Sequence, residues 1–134
     1  MNAAVKHQWS RRESFVVDLT LPFPPSMNDL WRHNGKRVYR TPRYMSWINV
    51  AGQELELQKP GCIRGNYVIV IQLERKDKRR RDAGNFEKAV SDLLQAHGVI
   101  EEDSLADSVT TMWAPSVKGC RVVLTAVNRE VPFG

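Results

Sequence analysis

The stretch Asn66 to Glu74, NYVIVIQLE, does most to limit what this chain can become. Valine, isoleucine and tyrosine suit a pleated, packed surface and lose rotamer freedom in a helix. From Tyr67 to Ile71 no polar residue interrupts the run, so it predicts a central, well-covered strand rather than a half-exposed one. A central strand needs partners on both sides, and the remaining sequence supplies them.

Ser14 to Leu21 (SFVVDLTL) predicts a strand, stopped by Pro22, Pro24 and Pro25, which cannot donate to a ladder. Ser26 to Gly35 is polar and turn-rich, and Val38 and Tyr39 predict a short strand after it. From Pro42, a residue suited to a first helical turn, Tyr44, Trp47, Ile48, Ala51 and Leu55 recur at helical spacing, and the helix should fade before Pro60. A second helix is expected from about Gly84 to His97. Phe86, Ala89, Val90, Leu93, Leu94 and His97 would lie on one face, with Asn85, Lys88 and Asp92 on its polar edge. Gly98 offers a natural stop. Ser108 to Trp113 and Arg121 to Val127 predict two strands of a hairpin joined through Pro115 to Gly119. The expected fold is a single α+β domain over residues 1–134, a mixed sheet with two main helices packed on it, and flexible tails at 1–12 and 129–134.

Charge narrows the chemistry. The 134 residues carry a formal net charge of +5, concentrated in Arg32, Lys36, Arg37, Arg40 and Arg43, and in a run where six residues of seven are basic: Arg75, Lys76, Lys78, Arg79, Arg80 and Arg81. Clustering of this kind favours a polyanion, because binding strength follows local phosphate neutralisation and counterion release. Cys62 and Cys120 form no C-x-x-C pattern and His7, His33 and His97 are scattered, which argues against a zinc finger or ribbon. Two lone cysteines suit a reducing cytosol. The N-terminal residues are too polar for a signal peptide, and no stretch approaches the roughly 18 apolar residues of a membrane span. A cytoplasmic protein is expected, associated with the nucleoid when it acts, and without a membrane partner.

Beside the basic run stand acids. Asp82 follows a strand and opens a helix, and Glu101, Glu102 and Asp103 follow that helix. Carboxylates are the oxygen donors that Mg²⁺ prefers, and a cation held there would polarise a phosphate and generate hydroxide. A helix over 84–97 is about 20 Å long at about 1.5 Å per residue. Five extended residues after Gly98 cover roughly 17 Å, so the chain is long enough to bring Asp103 back toward Asp82. Lys88, one turn into the helix, would hold a phosphate there. Each residue also has a plainer role: Asp82 as a helix cap, Lys88 as an i,i+4 ion-pair partner of Asp92, and Glu101 to Asp103 as a solvated turn. Trp31 and Tyr39, set among arginines, either stack on unpaired bases or pack the first helix against the sheet.

Taken together, RRRDAGNFEKAVSDLL (Arg79 to Leu94), HGVIEEDS (His97 to Ser104) and LPFPPSMNDLWRHNGKRVY (Leu21 to Tyr39) resemble the RusA family of Holliday-junction resolvases, small homodimeric Mg²⁺-dependent endonucleases of prophage and bacterial origin. The resemblance covers nearly the whole chain. It implies a nuclease acting on branched DNA, the four-way junction, by paired symmetric nicks in recombination and repair, with Mg²⁺ as cofactor and Mn²⁺ as an alternative. It places catalytic roles on Asp82, Lys88 and Asp103, a metal site on Asp82, Asp103 and Glu102, and DNA contacts on Asn85 and the two basic clusters. One position departs: the family's second motif aspartate falls on Gly84, which has no side-chain oxygen. Glu74, Glu87 or Glu101 could substitute, the metal could keep an extra water, or the chain could bind junctions and cut them weakly or not at all.

Overall fold

The computed structural model describes residues 11–75 and 82–127. Strand β1 (Val16–Leu21) leads through a 3-10 turn to a short hairpin, β2 (Trp31–Asn34) and β3 (Arg37–Arg40), then to helix α1 (Pro42–Leu57) and strand β4 (Tyr67–Leu73). A 3-10 turn (Ala83–Phe86) runs into helix α2 (Glu87–Ala96), followed by β5 (Ala106–Trp113) and β6 (Cys120–Ala126). β1, β6, β4 and β5 form one mixed sheet in that order, while β2 and β3 form a separate two-stranded ribbon. The expected α+β architecture is the one observed.

β4 is central, as its composition predicts, but it is buried on only one face. Tyr67, Ile69, Ile71 and Leu73 are buried and the residues between them half-buried. The covered face joins Val17, Leu19 and Leu21 of β1 and Cys120, Val122 and Leu124 of β6 to the helix residues Trp47, Ala51, Leu55, Val90, Leu93 and Leu94 in one core. Each fully buried Leu or Ile contributes about 1.5–3 kcal/mol, so this face holds the helices in place.

The expected β5–β6 hairpin does not form. β4 lies between the two strands, parallel to β5 and antiparallel to β6. The segment from Ala114 to Gly119 arches over the end of β4, where Ala114 N–H donates to Leu73 O (2.8 Å) and Glu74 N–H donates to Gly119 O (2.9 Å). The cause is the intervening helix: β4–α2–β5 is a strand–helix–strand unit, and such crossovers make parallel neighbours. β2 is the other strand that composition hid, because all four of its residues are exposed and none serves the core.

Local signals fix the helix ends. Thr41 Oγ1 accepts the Tyr44 N–H (3.1 Å) and Pro42 takes the first helical position of α1. Beyond that helix the side-chain amide of Gln58 accepts from Thr20 N (2.9 Å) and donates to Thr20 O (2.7 Å) at the outer side of β1. Arg11, which the sequence assigns to a tail, is held firmly: its side chain is 5% exposed and pairs with Glu56 at 2.7 Å. It also donates to His97 O and Pro60 O, tying the chain start to the C-terminal ends of both helices. Arg11→Ala is expected to cost about 2 kcal/mol, since hydrogen bonds to charged groups are worth about 1.5–3 kcal/mol and Glu56 would be left partly desolvated. The check is a lower urea midpoint with an unchanged slope.

Candidate active site

Asp82 caps the 3-10 turn Ala83–Phe86. Its Oδ1 accepts the Gly84 N–H at 3.0 Å and its backbone carbonyl accepts the Asn85 N–H at 3.1 Å. Both carboxylate oxygens stay near the surface, because Asp82 is exposed. The turn is pinned from below by Phe86, which meets Phe23 (5.1 Å) and Trp113 (5.9 Å) edge-on. An aromatic cluster thus sets where Asp82 stands.

Lys88 follows in the first turn of α2. Its ammonium lies 3.1 Å from Asp92 Oδ1 and 3.8 Å from Asp103 Oδ2. The i,i+4 pair, the plainer role the sequence offers for Lys88, is present, and Asp103 approaches the same ammonium. The hydrogen bond that Lys88 donates to Asp92, then the charges of Asp92 and Asp103, hold the Lys88 pKa above its usual 10.5. Lys88 is a fixed cation near neutral pH, suited to binding a phosphate and unsuited to acting as a base.

The segment after α2 does double back. Val99 N–H donates to Leu94 O (2.9 Å), Ile100 bridges to Ile63, and Glu101 accepts the Gly65 N–H at 2.6 Å. Asp103 then lies against α2, where its backbone N–H donates to the Gln95 side chain at 3.1 Å. The Tyr67 hydroxyl, beneath it, reaches Asp103 O at 3.5 Å. Burial, with the negative charges of Asp103 and Glu87, pushes the Tyr67 hydroxyl up to about 12. Tyr67 and Gln95 escaped the sequence reading. Gln95 sits seven residues after Lys88 on one helix face, a signal that was available, whereas nothing marked Tyr67 among its apolar neighbours.

The other acids are engaged locally. Glu102 is exposed and accepts the Ser104 hydroxyl at 3.0 Å. Glu74, at the end of β4, accepts the Gly119 N–H at 2.8 Å and closes the loop over that strand. Glu87 accepts the Ser91 hydroxyl at 2.6 Å. Glu74 and Glu101 each give one oxygen to a backbone N–H, as Asp82 does, which leaves each a second carboxylate oxygen.

Of the basic residues, Arg32 lies near Asp29 (3.8 Å) and Arg40 lies over the rings of Trp31 (5.8 Å) and Tyr44 (5.7 Å). Lys36 and Arg37 are exposed at the ribbon's turn. Arg75 stands over Trp113 (5.8 Å), while Lys76, Lys78, Arg79, Arg80 and Arg81 lie outside the described residues. Burial, then the charge of Asp92, raise the Tyr44 pKa, while Arg40 and Lys88 oppose the rise. The 3-10 turn Met27–Asp29, which leads into the ribbon, packs against α2, the helix that carries Lys88 and Asp92.

A family model described as Endodeoxyribonuclease RusA matches residues 22–125, a span that holds the ribbon, Asp82, Lys88 and Asp103. The chain belongs to the RusA family. The crossover junction endodeoxyribonuclease RusA of Escherichia coli strain K12 is 32% identical over 117 residues, covering 82% of this chain and 92% of that protein. The enzyme of the same name from Enterobacteria phage 82 is 31% identical over 116 residues, covering 80% and 90%. That of Enterobacteria phage HK97 is 28% identical over 111 residues, covering 82% and 92%.

Within this RusA-family site the donors are hard carboxylate oxygens, which suit Mg²⁺ or Mn²⁺. Among the described residues no group of three or more His, Cys, Asp or Glu converges as a metal cage. Mg²⁺ does not need one, since it is commonly held by one or two carboxylates, water and a substrate phosphate. Asp82, Glu102 and Asp103, the three carboxylates that the resemblance assigns to a metal, do not gather as such a group, and one or two of them are enough for a cation that keeps most of its water. No described helix is long and apolar enough to cross a membrane.

Proposed function

We propose that this RusA-family chain is a Mg²⁺-dependent, structure-selective endodeoxyribonuclease that resolves four-way DNA junctions by paired symmetric nicks, acting as a homodimer in the cytoplasm at the nucleoid. The observation that carries the reading is the position of Lys88, a permanent cation held between Asp92 and Asp103 in the first turn of the helix that Asp82 introduces. Asp82 and Asp103, with Glu102 next to Asp103 in the sequence, would hold the cation. A bound divalent ion supplies Lewis-acid polarisation of the phosphate and a more acidic attacking water. Lys88 grips the scissile phosphate and steadies the charge that grows on it. Asn85, the arginines and lysine of the ribbon, and the run from Arg75 to Arg81 follow the DNA backbone, which gives affinity without base readout. Two equivalent sites in a dimer match the two equivalent strands of a junction.

The test is a labelled synthetic four-way junction, incubated with Mg²⁺, Mn²⁺ or chelator beside a linear duplex. Symmetric nicks confined to the junction and abolished by chelator support the reading; nicking that persists in chelator, or falls equally on duplex, defeats it.

One observation favours a weaker enzyme, or a junction binder that does not cut: Gly84 offers no side-chain oxygen. Gly84 can accept a side chain. A Cβ built there meets Asp82 Oδ1 at 3.3 Å and little else, and the residue has no positive φ. Gly84→Asp adds a carboxylate beside Asp82, and since ligand charge sets cation affinity it is expected to lower the half-saturating Mg²⁺ about tenfold. Without metal the two carboxylates repel, so the variant should melt lower in chelator and gain more from added Mg²⁺. An unchanged Mg²⁺ dependence in both cutting and melting would remove Gly84 as the cause of weak metal binding.

A further inference from the structure

We propose that Tyr39, set between Arg32 and Arg37 on one face of the β2–β3 ribbon, is a stacking platform for a nucleobase left unpaired at the branch point of the DNA. The inference rests on the junction-cutting reading above and names the part of the substrate that this surface takes.

The ribbon is chemically one-sided. From Trp31 to Arg40 it contains Arg32, Lys36, Arg37, Arg40 and His33, and no Asp or Glu. All eight strand residues are exposed, and the strands pair with each other rather than with the main sheet. Isolated two-stranded ribbons are marginal in water. This one is fastened at its base, where Thr41 N–H donates to Leu30 O (3.0 Å) and Thr41 Oγ1 donates to Asp29 O (2.5 Å). It turns at Gly35, in the left-handed region at φ +61°.

Register sorts the side chains. Directly opposite residues share a face, so Trp31, Arg40, His33 and Val38 fall on one side and Arg32, Tyr39, Asn34 and Arg37 on the other. The first face is committed to the protein at its base: Trp31 meets Tyr44 edge-on at 6.2 Å, and Arg40 covers both rings. On the second face Tyr39 is 45% exposed and stacks on no other ring among the described residues. Arg32 lies directly across from it and Arg37 two residues before it on the same strand.

An aromatic ring among arginines on one exposed face is a pattern that captures single-stranded nucleic acid, the cations taking phosphates and the ring taking a base. Arg37 is exposed there, while Arg32 donates to Asn28 O (3.5 Å) and Trp31 O (3.3 Å) and keeps 54% of its side chain exposed. A continuous duplex keeps its base faces stacked and has none to offer, whereas a branch point does. Tyr39 would therefore add affinity for branched over linear DNA, with the arginines contributing to both. The placement is suitable, since the turn Met27–Asp29 at the ribbon's base packs against α2, the helix that carries Lys88.

The experiment places 2-aminopurine at the branch point of a four-way junction and measures fluorescence and binding in chelator, where no cutting intervenes. Tyr39→Ala is expected to lose about tenfold in junction affinity, within the range for removing one base stack, with little change on linear duplex. It should also lose the fluorescence change on binding and raise KM for cutting more than it lowers kcat. Tyr39→Phe, which keeps the ring and drops the hydroxyl, should behave as the parent protein. An unchanged melting temperature shows that Tyr39→Ala is folded. The assignment is overturned if Tyr39→Ala matches the parent on the junction, if it weakens junction and duplex equally, or if Tyr39→Phe fails to retain binding. A parent protein that binds and cuts junctions while Tyr39→Ala matches it loses the stacking role alone; a parent protein that does not bind junctions at all loses the functional reading and this inference together.

Discussion

Asp103→Asn is expected to slow junction cutting about a thousandfold, because the several kcal/mol of charge stabilisation that a bound cation provides equal about three decades in rate. Asparagine keeps the shape of aspartate, and the contact from Asp103 to Gln95 uses the backbone N–H, so the local turn should survive. The lost ion pair to Lys88 is long and half-exposed, worth little to stability. Junction binding should hold or strengthen slightly, since one negative charge beside the phosphates is removed. Single-turnover cutting measured beside a gel shift separates the two effects. A rate within tenfold of the parent protein would take Asp103 out of the metal site.

Lys88→Met is expected to lower cutting by about 10²–10³, the usual consequence of removing one preorganised charge from a developing oxyanion. Excess Mg²⁺ should not restore it, because the missing group contacts phosphate rather than cation. The raised pKa makes a second demand. Any stability that Lys88 contributes through its charge is fully present below its unfolded value of 10.5 and is lost only as pH rises through the still higher folded value. Between about pH 6 and 9 Lys88 therefore stays charged, and it should add no limb to the rate profile over that range. A limb in that range that vanishes in Lys88→Met would show that Lys88 titrates during catalysis and would contradict its role as a fixed cation.

Much of this architecture was legible because single residues carried strong local physics. The β-branched run of β4 announced a central strand, and Pro42 after Thr41 marked the start of α1. Chain reach permitted the return of Asp103 to α2 without requiring it. Strand order was harder. The segment between Trp113 and Cys120 has the length and the proline and glycine of a hairpin loop, yet it spans β4. The strand–helix–strand order around α2 held the correct answer, since it calls for parallel neighbours. The ribbon was half visible: Tyr39 and Val38 marked β3, whereas β2, made of Trp31, Arg32, His33 and Asn34, has no buried residue to mark it. Only the paired register separates Trp31, packed on Tyr44, from Tyr39, turned outward.

The amide of Gln58 gives β1 what an adjoining peptide group would give it. At Thr20 it fills both the donor and the acceptor that the outermost strand turns away from β6. A foreign strand pairing at Thr20 would have to displace both of those hydrogen bonds. The protein thus guards one border of its sheet against templated aggregation with a single side chain, a protection that matters for a polypeptide whose central strand is as apolar as YVIVI.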